Sequence, residues 1–157
     1  MASKTSPAKA AYIACNGGDL HTCAACEYGC IGCGACEKVC KFGAVTMVDG
    51  LPHIDTEKCA ACGMCVQACA RKIIRIFEID KPIRVRCSSN EMGKYATMVC
   101  NSSCIGCGIC AKNCPAGAIQ INANLAFIDY EKCLSCGLCV TNCPRGAIED
   151  LRGIIRK

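Results

Sequence analysis

The sequence predicts an α+β protein built from two tandem units, each with the element order βαββαβ. Three observations predict this fold. The pattern Cys-x2-Cys-x2-Cys-x3-Cys occurs four times and takes in sixteen of the twenty-one cysteines. The four runs form two pairs, which divides the chain into units of roughly 70 residues. Short strand-like segments lie at the same places in each half. The runs are Cys30, Cys33, Cys36, Cys40; Cys59, Cys62, Cys65, Cys69; Cys104, Cys107, Cys110, Cys114; and Cys133, Cys136, Cys139, Cys143.

The two halves align with each other around the cysteine runs. The segment CIGCGAC at 30–36 matches CIGCGIC at 104–110, and EKCAACGMC at 57–65 matches EKCLSCGLC at 131–139. Proline readily ends a strand, so Pro82 marks the junction of the halves. We therefore predict a flexible segment at 1–10, one unit at 11–80, a second unit at 81–150 and a basic tail at 151–157.

Within each unit the predicted elements are short. Strands at 45–48 and 51–54 flank the Asp49-Gly50 pair, which is a strong hairpin signal. The equivalent hairpin joins strands at 119–121 and 125–128. Short helices are expected through the third and fourth cysteine of each run, at 34–40, 63–69, 108–114 and 137–143. Closing strands are expected at 73–79 and 147–150.

Size and cysteine content together indicate a metal protein. A unit of about 70 residues buries too little apolar surface to be stable without disulfides or metals. Twenty-one cysteines in 157 residues suit a secreted disulfide scaffold or a metal protein. The first ten residues are polar and lack the apolar core of a signal peptide. No run is long and apolar enough to span a membrane. These features favour a metal protein in the reducing cytoplasm.

The cysteine runs resemble the ligand runs of bacterial ferredoxins that carry [4Fe–4S] clusters. The resemblance implies two tandem ferredoxin-type units, each built around two clusters, and four clusters in all. Zinc is the alternative metal. Its structural sites usually join two Cys-x2-4-Cys pairs across a longer spacer. In these runs a third cysteine follows after two residues and a fourth after three more, and this spacing suits a four-iron cubane better. Because metal binding is coupled to folding, the metal-free chain is expected to be largely unfolded.

The same resemblance implies how the cysteines are shared. In two-cluster ferredoxins the fourth cysteine of a run ligates the other cluster of the pair. The implied ligands are Cys30, Cys33, Cys36 and Cys69 for cluster 1; Cys40, Cys59, Cys62 and Cys65 for cluster 2; Cys104, Cys107, Cys110 and Cys143 for cluster 3; and Cys114, Cys133, Cys136 and Cys139 for cluster 4. Pro115 and Pro144 follow the ferredoxin pattern after the fourth cysteine, but Lys41 and Ala70 depart from it in the first half.

Five cysteines fall outside the runs. The repeat relates Cys15 and Cys26 to Cys87 and Cys100, and Cys23 has no counterpart. Three interpretations remain open. The four related cysteines are buried thiols that pack a loop, or they form the disulfides Cys15–Cys26 and Cys87–Cys100, or a fifth metal site includes Cys23, supported only by the local Cys-x2-Cys spacing.

The formal charge of +5 does not describe the cluster-loaded protein. Four thiolates around a [4Fe–4S] core carry about −2, so four clusters shift the net charge to about −3. The basic composition therefore gives no reason to expect nucleic-acid binding. Residues 1–80 contain eight basic and eight acidic side chains, and residues 81–157 contain ten and five. More negative surroundings resist reduction, so we expect lower potentials in the first pair of clusters.

The segments that lead into the cysteine runs narrow the resemblance. Residues 12–18, 26–33, 83–87, 100–107 and 124–133 resemble the ferredoxin region of the B subunit of the Rnf ion-translocating oxidoreductase. That family implies electron relay on the cytoplasmic side, from reduced ferredoxin toward membrane-bound and flavin-containing partners, coupled to ion transport and NAD reduction. Such subunits usually begin with a membrane anchor and a further four-cysteine segment, which this sequence lacks.

Three classes of function follow. The first is an electron-transfer subunit, or a fragment of one, in a larger Rnf-like complex. The second is a free polyferredoxin that shuttles electrons between soluble oxidoreductases. The third is a non-redox metal-binding module. No nucleotide-binding glycine motif and no nucleophile constellation occur. We therefore expect no catalytic residues and no small-molecule substrate, and redox proteins as partners.

Overall fold

The computed structural model describes residues 8–17 and 26–156. Within this described part, the first half of the chain contains four short strands and two short helices. Their order is β1 Lys9–Ile13, α1 Ala35–Val39, β2 Val45–Val48, β3 Leu51–Ile54, α2 Met64–Ala68 and β4 Ile74–Glu78. The two helices begin after Gly34 and Gly63, which carry the left-handed backbone conformation. Each helix thus starts between the second and third cysteine of its run.

The second half repeats this arrangement and also contains helix α3, in a stretch whose counterpart in the first half lies largely outside the described residues. Its elements are β5 Ile83–Val85, α3 Gly93–Val99, α4 Ile109–Lys112, β6 Ile119–Asn122, β7 Leu125–Ile128, α5 Leu138–Asn142 and β8 Ile148–Asp150. The four helices expected from the cysteine runs are therefore present, each shorter than the predicted range. Helix α3 lies between β5 and the next cysteine run, where the sequence analysis predicts no element.

The strands form four antiparallel pairs. β1 pairs with β4, with Lys9 opposite Glu78, and β5 pairs with β8, with Ile83 opposite Asp150. The hairpins predicted around 49–50 and 122–124 are confirmed as β2–β3 and β6–β7. Positive φ at both residues of each turn, such as 49° at Asp49 and 79° at Gly50, is what a tight hairpin needs. Each unit is a mixture of small strand pairs and short helices.

Two hydrophobic cores lie one in each half, and cysteines make up much of both. The first contains Ile13, Ile74 and Phe77 together with Cys36, Cys59 and Cys65. The second contains Ile83, Ile128 and Ile148 together with Cys104, Cys110, Cys139 and Cys143. A unit this small has few other apolar side chains to bury. Whatever the thiols bind is therefore part of each core.

Arg84 of β5 contacts aromatic rings from both halves. Its guanidinium carbon lies 3.7 Å from the ring centre of Tyr130, 5.1 Å from Phe77 and 5.7 Å from Tyr12. Arg84 is only 4% exposed. These distances are in the range of cation–π contacts, so Arg84 fastens β1 and β4 of the first half to the second half. Among the described residues, no helix is long and apolar enough to cross a membrane.

Candidate iron–sulfur sites

Each cysteine run forms a tight loop because one residue within the first x2 spacer takes positive φ. This residue is Gly32, Ala61, Gly106 or Ser135, with φ between 52° and 66°. Gly32 also lies against the β2–β3 turn, where a Cβ atom would be 2.9 Å from the carbonyl oxygen of Gly50. Gly106 meets the second hairpin at Asn124 in the same way. The hairpins thus hold the first ligand loop of each half in position.

A second repeated turn follows the fourth cysteine of each run. The residue three positions later has positive φ: Gly43, Lys72, Gly117 and Gly146. In three of the four turns the next N–H group donates to the sulfur of that cysteine. The bonds run from Ala44 to Cys40 at 3.4 Å, from Ala118 to Cys114 at 3.3 Å and from Ala147 to Cys143 at 3.3 Å. Such donors favour a thiolate over a thiol.

Three small cavities are each lined by four cysteines from two different runs. The first is lined by Cys30, Cys33, Cys36 and Cys69. The second is lined by Cys40, Cys59, Cys62 and Cys65. The third is lined by Cys104, Cys107, Cys110 and Cys143. In each cavity, three cysteines come from one run and one comes from the other run of the same half. This is the crossed arrangement that the ferredoxin resemblance implies.

The remaining run lies beside the third cavity. The charges of Cys133, Cys110 and Cys136 all act on the thiol of Cys139, and α4 packs against α5. Cys114 lies two residues after the end of α4 and packs on the same core as Cys133. The ligand set expected for cluster 4 is therefore drawn from neighbouring elements.

Exposure of the thiols follows their order in the run. The second cysteine is exposed in all four runs and the third is buried in all four. The exposed residues are Cys33, Cys62, Cys107 and Cys136. A group held by these thiols would touch solvent on one side and the apolar core on the other. That is the position needed for exchange of electrons with another protein.

Burial raises the pKa of five of these thiols, those of Cys30, Cys36, Cys65, Cys110 and Cys139. Burial is the main cause that raises the pKa of Cys110 to about 11 and that of Cys139 to about 12, and the charges of neighbouring cysteines raise it further. Cys40 behaves differently. Burial acts to raise its pKa, but N–H groups of residues 42–45 outweigh burial, and the pKa is lowered. Metal ligands must lose their protons, so these N–H groups stabilise the bound form.

The donor set fits iron–sulfur clusters. The four cysteines that line each cavity offer sulfur donors, the cavity walls are apolar, and backbone N–H groups point at several of the sulfurs, as cluster sites require. Across residues 8–17 and 26–156, no group of three or more Cys, His, Asp or Glu side chains is close enough to hold a single metal ion.

A further small cavity brings together the four related cysteines that lie outside the runs. Cys15, Cys26, Cys87 and Cys100 all line it. No disulfide links these residues to one another, and the predicted pairings Cys15–Cys26 and Cys87–Cys100 remain untested predictions. Cys23 lies outside the described residues. The internal repeat relates Cys15 to Cys87 and Cys26 to Cys100, but it does not indicate that the two pairs meet in one cavity.

Comparison with protein families agrees with the geometry. Residues 29–74, 58–119 and 103–147 each match a family described as a 4Fe-4S dicluster domain. Together with the four-cysteine cavities, these matches define an iron–sulfur protein with multiple [4Fe–4S] clusters. A protein of Sinorhizobium fredii named as a ferredoxin-3 is 30% identical over 86 residues, which are 49% of this chain and 82% of that protein. The chain belongs to the ferredoxin family and is an iron–sulfur electron-transfer protein.

Two relatives are larger redox subunits. The B subunit of the Na⁺-translocating ferredoxin:NAD⁺ oxidoreductase complex of Acetobacterium woodii is 39% identical over 108 residues, which are 68% of this chain and 32% of that protein. The B subunit of an ion-translocating oxidoreductase complex of Methanosarcina acetivorans is 45% identical over 108 residues, which are 68% of this chain and 41% of that protein. The chain therefore spans less than half the length of these relatives. Its resemblance to the ferredoxin region of the Rnf B subunit is confirmed.

Proposed function

We propose that this chain relays single electrons through four [4Fe–4S] clusters as a subunit, or part of a subunit, of an Rnf-like redox complex. The observation that carries this proposal is the similarity of two thirds of the chain to the B subunits of two ion-translocating oxidoreductases. Rnf-like partners would be reduced ferredoxin as donor and flavin-containing or iron–sulfur subunits as acceptors. The chain would work at the cytoplasmic face of the membrane, held there by other subunits.

The proposed ligands are the sixteen cysteines of the four runs. The cavities that combine three cysteines of one run with the fourth cysteine of its partner support this assignment. The proposed domains are two βαββαβ units at 11–80 and 81–150, and the repeated order of strands and helices supports them. Crossed ligation would tie the two parts of each unit together, so that losing one thiol would weaken both sites of a unit.

The chain's own residues set the conditions for the relay. A bound [4Fe–4S] cluster supplies reversible one-electron chemistry. The N–H groups of Gly32, Ala44, Ala118 and Ala147 donate to ligand sulfurs. Such bonds stabilise added negative charge and raise the reduction potential. The exposed second cysteines give a partner protein its closest approach, and the apolar walls exclude water.

A second candidate function is a free polyferredoxin. A polyferredoxin of Methanothermus fervidus is 36% identical over 95 residues, which are 59% of this chain and 20% of that protein. Such a protein would carry the same clusters but exchange electrons with soluble enzymes. The two candidates differ only in the partners of the chain, which are the subunits of a redox complex for the first and soluble enzymes for the second.

Purification from a host that carries an Rnf complex separates the two candidates. We expect an anaerobically isolated, tagged full chain to retain membrane subunits in fixed stoichiometry and to be reduced by low-potential ferredoxin, followed by EPR. A chain that purifies alone but accepts electrons from ferredoxin would favour the polyferredoxin. A chain without iron and acid-labile sulfide would overturn both.

A further inference from the structure

We propose that Cys15, Cys26, Cys87 and Cys100 bind a fifth [4Fe–4S] cluster, located between the two halves of the chain. The proposal goes beyond the four clusters expected from the cysteine runs. It assigns a ligand role to cysteines that no ferredoxin run includes, and it makes the junction of the halves part of the electron path.

The four thiols share one cavity. Two of its cysteines come from each half, and they occupy equivalent positions in the repeat, so the site has the internal symmetry of the chain. The charges of Cys15 and Cys100 both act on Cys26, and that of Cys100 acts on Cys87. Cys26 is thus influenced by a thiol of the other half as well as by one of its own. This arrangement joins all four residues rather than separating them into two disulfides.

The sulfurs have the same backbone donors as the sulfurs of the cysteine runs. The N–H group of Ser89 donates to Cys87 at 3.5 Å, two residues after the cysteine. Gly32 and Ser135 donate in the same way to Cys30 and Cys133. The N–H groups of Tyr28 and Gly29 lower the pKa of Cys26, although burial raises it overall. The Cys100 sulfur lies 3.6 Å from the Ser102 hydroxyl. Hydrogen bonds donated to the ligand sulfurs are contacts that such a cluster needs in addition to its ligands.

Positive charge lies at the cavity. The Arg86 guanidinium lines it and donates to the Cys15 carbonyl at 3.0 Å, and Arg145 donates to the Cys100 carbonyl at 2.7 Å. The Nε atoms of both arginines are buried without a hydrogen-bond partner. Among the described residues, the only carboxylate that forms an ion pair with either arginine is that of Glu149, which lies 2.8 Å from Arg86. Four thiolates around a cluster carry about −2, and that charge would match the two cations.

The loops that carry the cysteines are fixed to each other. The Ser102 hydroxyl donates to the Asn16 side-chain oxygen at 2.8 Å, and the Ser88 hydroxyl donates to the Ala14 carbonyl at 2.9 Å. Both bonds join one half to the other beside a cysteine of the site. Ser89 and Ser103, which also line the cavity, are each 2% exposed. The cavity is therefore a built and largely water-excluded site.

The position of the site gives it a role in electron transfer. The charge of Cys15 acts on Cys30, a proposed ligand of cluster 1, and the charge of Cys104, a proposed ligand of cluster 3, acts on Cys87. The fifth cluster would therefore lie between the two pairs. One electron received from cluster 1 would reduce it, and transfer of that electron to cluster 3 would reoxidise it, with no proton needed.

Iron and sulfide analysis of the anaerobically reconstituted full chain tests the proposal. We expect about twenty iron and twenty sulfide per chain, and about five electrons taken up on reductive titration. The double variant Cys26→Ser with Cys100→Ser removes one ligand from each half, and we expect about sixteen iron and four electrons. The control Ser88→Ala removes a hydrogen bond between the halves but keeps all four thiols and the donors to their sulfurs, and it should match the wild type.

The outcomes distinguish this proposal from the four-cluster function. A wild type with about sixteen iron, or a double variant that keeps all the iron of the wild type, would overturn the fifth cluster and leave the other four intact. One zinc beside sixteen iron would overturn it as well. Equal loss of iron in the control and in the double variant would assign the effect to packing and overturn the ligand assignment. Fewer than sixteen iron in the wild type would contradict the four-cluster proposal itself.

Discussion

Two glycines in one loop show how single residues shape a ligand site. Gly32 and Gly34 lie on either side of Cys33, and both have positive φ, at 66° and 70°. A Cβ atom at Gly32 would lie 2.9 Å from the Gly50 carbonyl oxygen, whereas a Cβ atom at Gly34 would meet nothing within 4 Å. The first position is constrained by backbone conformation and by space, and the second by backbone conformation alone.

The pair allows a matched prediction. Gly34→Ala should cost about 1–2 kcal/mol, the ordinary penalty for an L-residue in the left-handed region. Gly32→Ala should cost more, because the new methyl group also pushes the ligand loop away from the β2–β3 turn. Anaerobic melting, followed by the visible absorbance of the clusters, measures both. For a chain of this size 1 kcal/mol corresponds to about 2–4 °C. Equal losses in the two variants would contradict the contact with Gly50.

Positions that lack glycine show that the fold tolerates some strain. Ala61 and Ser135 take the place of Gly32 and Gly106 in the second run of each half, with φ of 53° and 52°. Nothing in the local sequence indicates a left-handed conformation at an alanine. Their equivalence to the glycines within the repeat was the available signal. A local strain of about 1 kcal/mol is small beside the free energy of metal binding.

At the scale of elements, the hairpins and ligand helices were predictable, and the contacts between elements were not. Asp49-Gly50 between alternating apolar residues specifies a turn locally. Helix α3 was missed because its sequence, Gly93 to Val99, contains a glycine and two β-branched residues, which are weak helix formers. The cavity of four extra cysteines was missed because residues far apart in sequence meet there, and no local periodicity records such a meeting.

Arg84 is an element-scale contact with a measurable effect. It lies 3.7 Å from the ring centre of Tyr130 and is 4% exposed. A desolvated cation–π contact is worth about 2 kcal/mol, so Arg84→Met, which keeps most of the volume but no charge, should lower the melting temperature by roughly 4–8 °C. Arg75→Met, on the exposed side of β4, is the control and should leave it unchanged. If Arg84→Met were as stable as the wild type, the guanidinium would contribute only packing.

The C-terminal segment is fixed by one buried carboxylate. Asp150 accepts hydrogen bonds from the backbone N–H groups of Arg152 at 3.0 Å and Ile155 at 3.1 Å, and it pairs with the Arg152 side chain at 3.1 Å. Ile155 in turn covers Gly137 at the start of α5, where an added Cβ atom would lie 2.3 Å from it. The segment expected as a basic tail thus contributes one side chain to the cover of the fourth cysteine run.

The attachment of the C-terminal segment depends on pH through the carboxylate of Asp150. Burial acts to raise the pKa of Asp150, but its bonds to Arg152 and Ile155 outweigh burial, and the pKa is lowered. A depressed folded-state pKa stabilises the fold above the unfolded pKa of about 3.9, and this stabilisation is lost as the pH falls through the folded value. Asp150→Asn should therefore weaken the segment by a constant amount, about 1–2 kcal/mol, between pH 8 and about pH 5.

Hydrogen exchange of residues 151–156 measures this difference between wild type and Asp150→Asn. Glu149→Gln is the control for loss of a neighbouring charge, since the Glu149 carboxylate pairs with Arg86 at 2.8 Å rather than with the tail. A difference that already shrinks between pH 8 and pH 6 would contradict a depressed pKa. No difference at any pH would show that the packing of Ile155 alone fixes the segment.

At the scale of the whole molecule, charge divides the two pairs of clusters. With two clusters in each half, residues 1–80 carry about −4 and residues 81–157 about +1. The structure adds that Arg84 and Arg86 lie at the junction, where Arg84 contacts Tyr12 and Arg86 donates to the Cys15 carbonyl. If both arginines are left out of the count, the second half is still about three charges more positive than the first half. The asymmetry does not depend on where the boundary is drawn.

This asymmetry predicts the direction of the relay. Negative surroundings oppose the addition of an electron, so the clusters of the first pair should have the lower potentials and pass electrons to the second pair. Potentiometric titration followed by EPR, with each pair identified from Cys→Ser variants of its own run, measures the order. Raising the ionic strength should narrow the gap, because exposed charges contribute most of it and salt screens them. A lower potential in the second pair would mean that hydrogen bonds to the sulfurs outweigh net charge, and the donors at Cys114, Cys133 and Cys143 would then be the residues to vary.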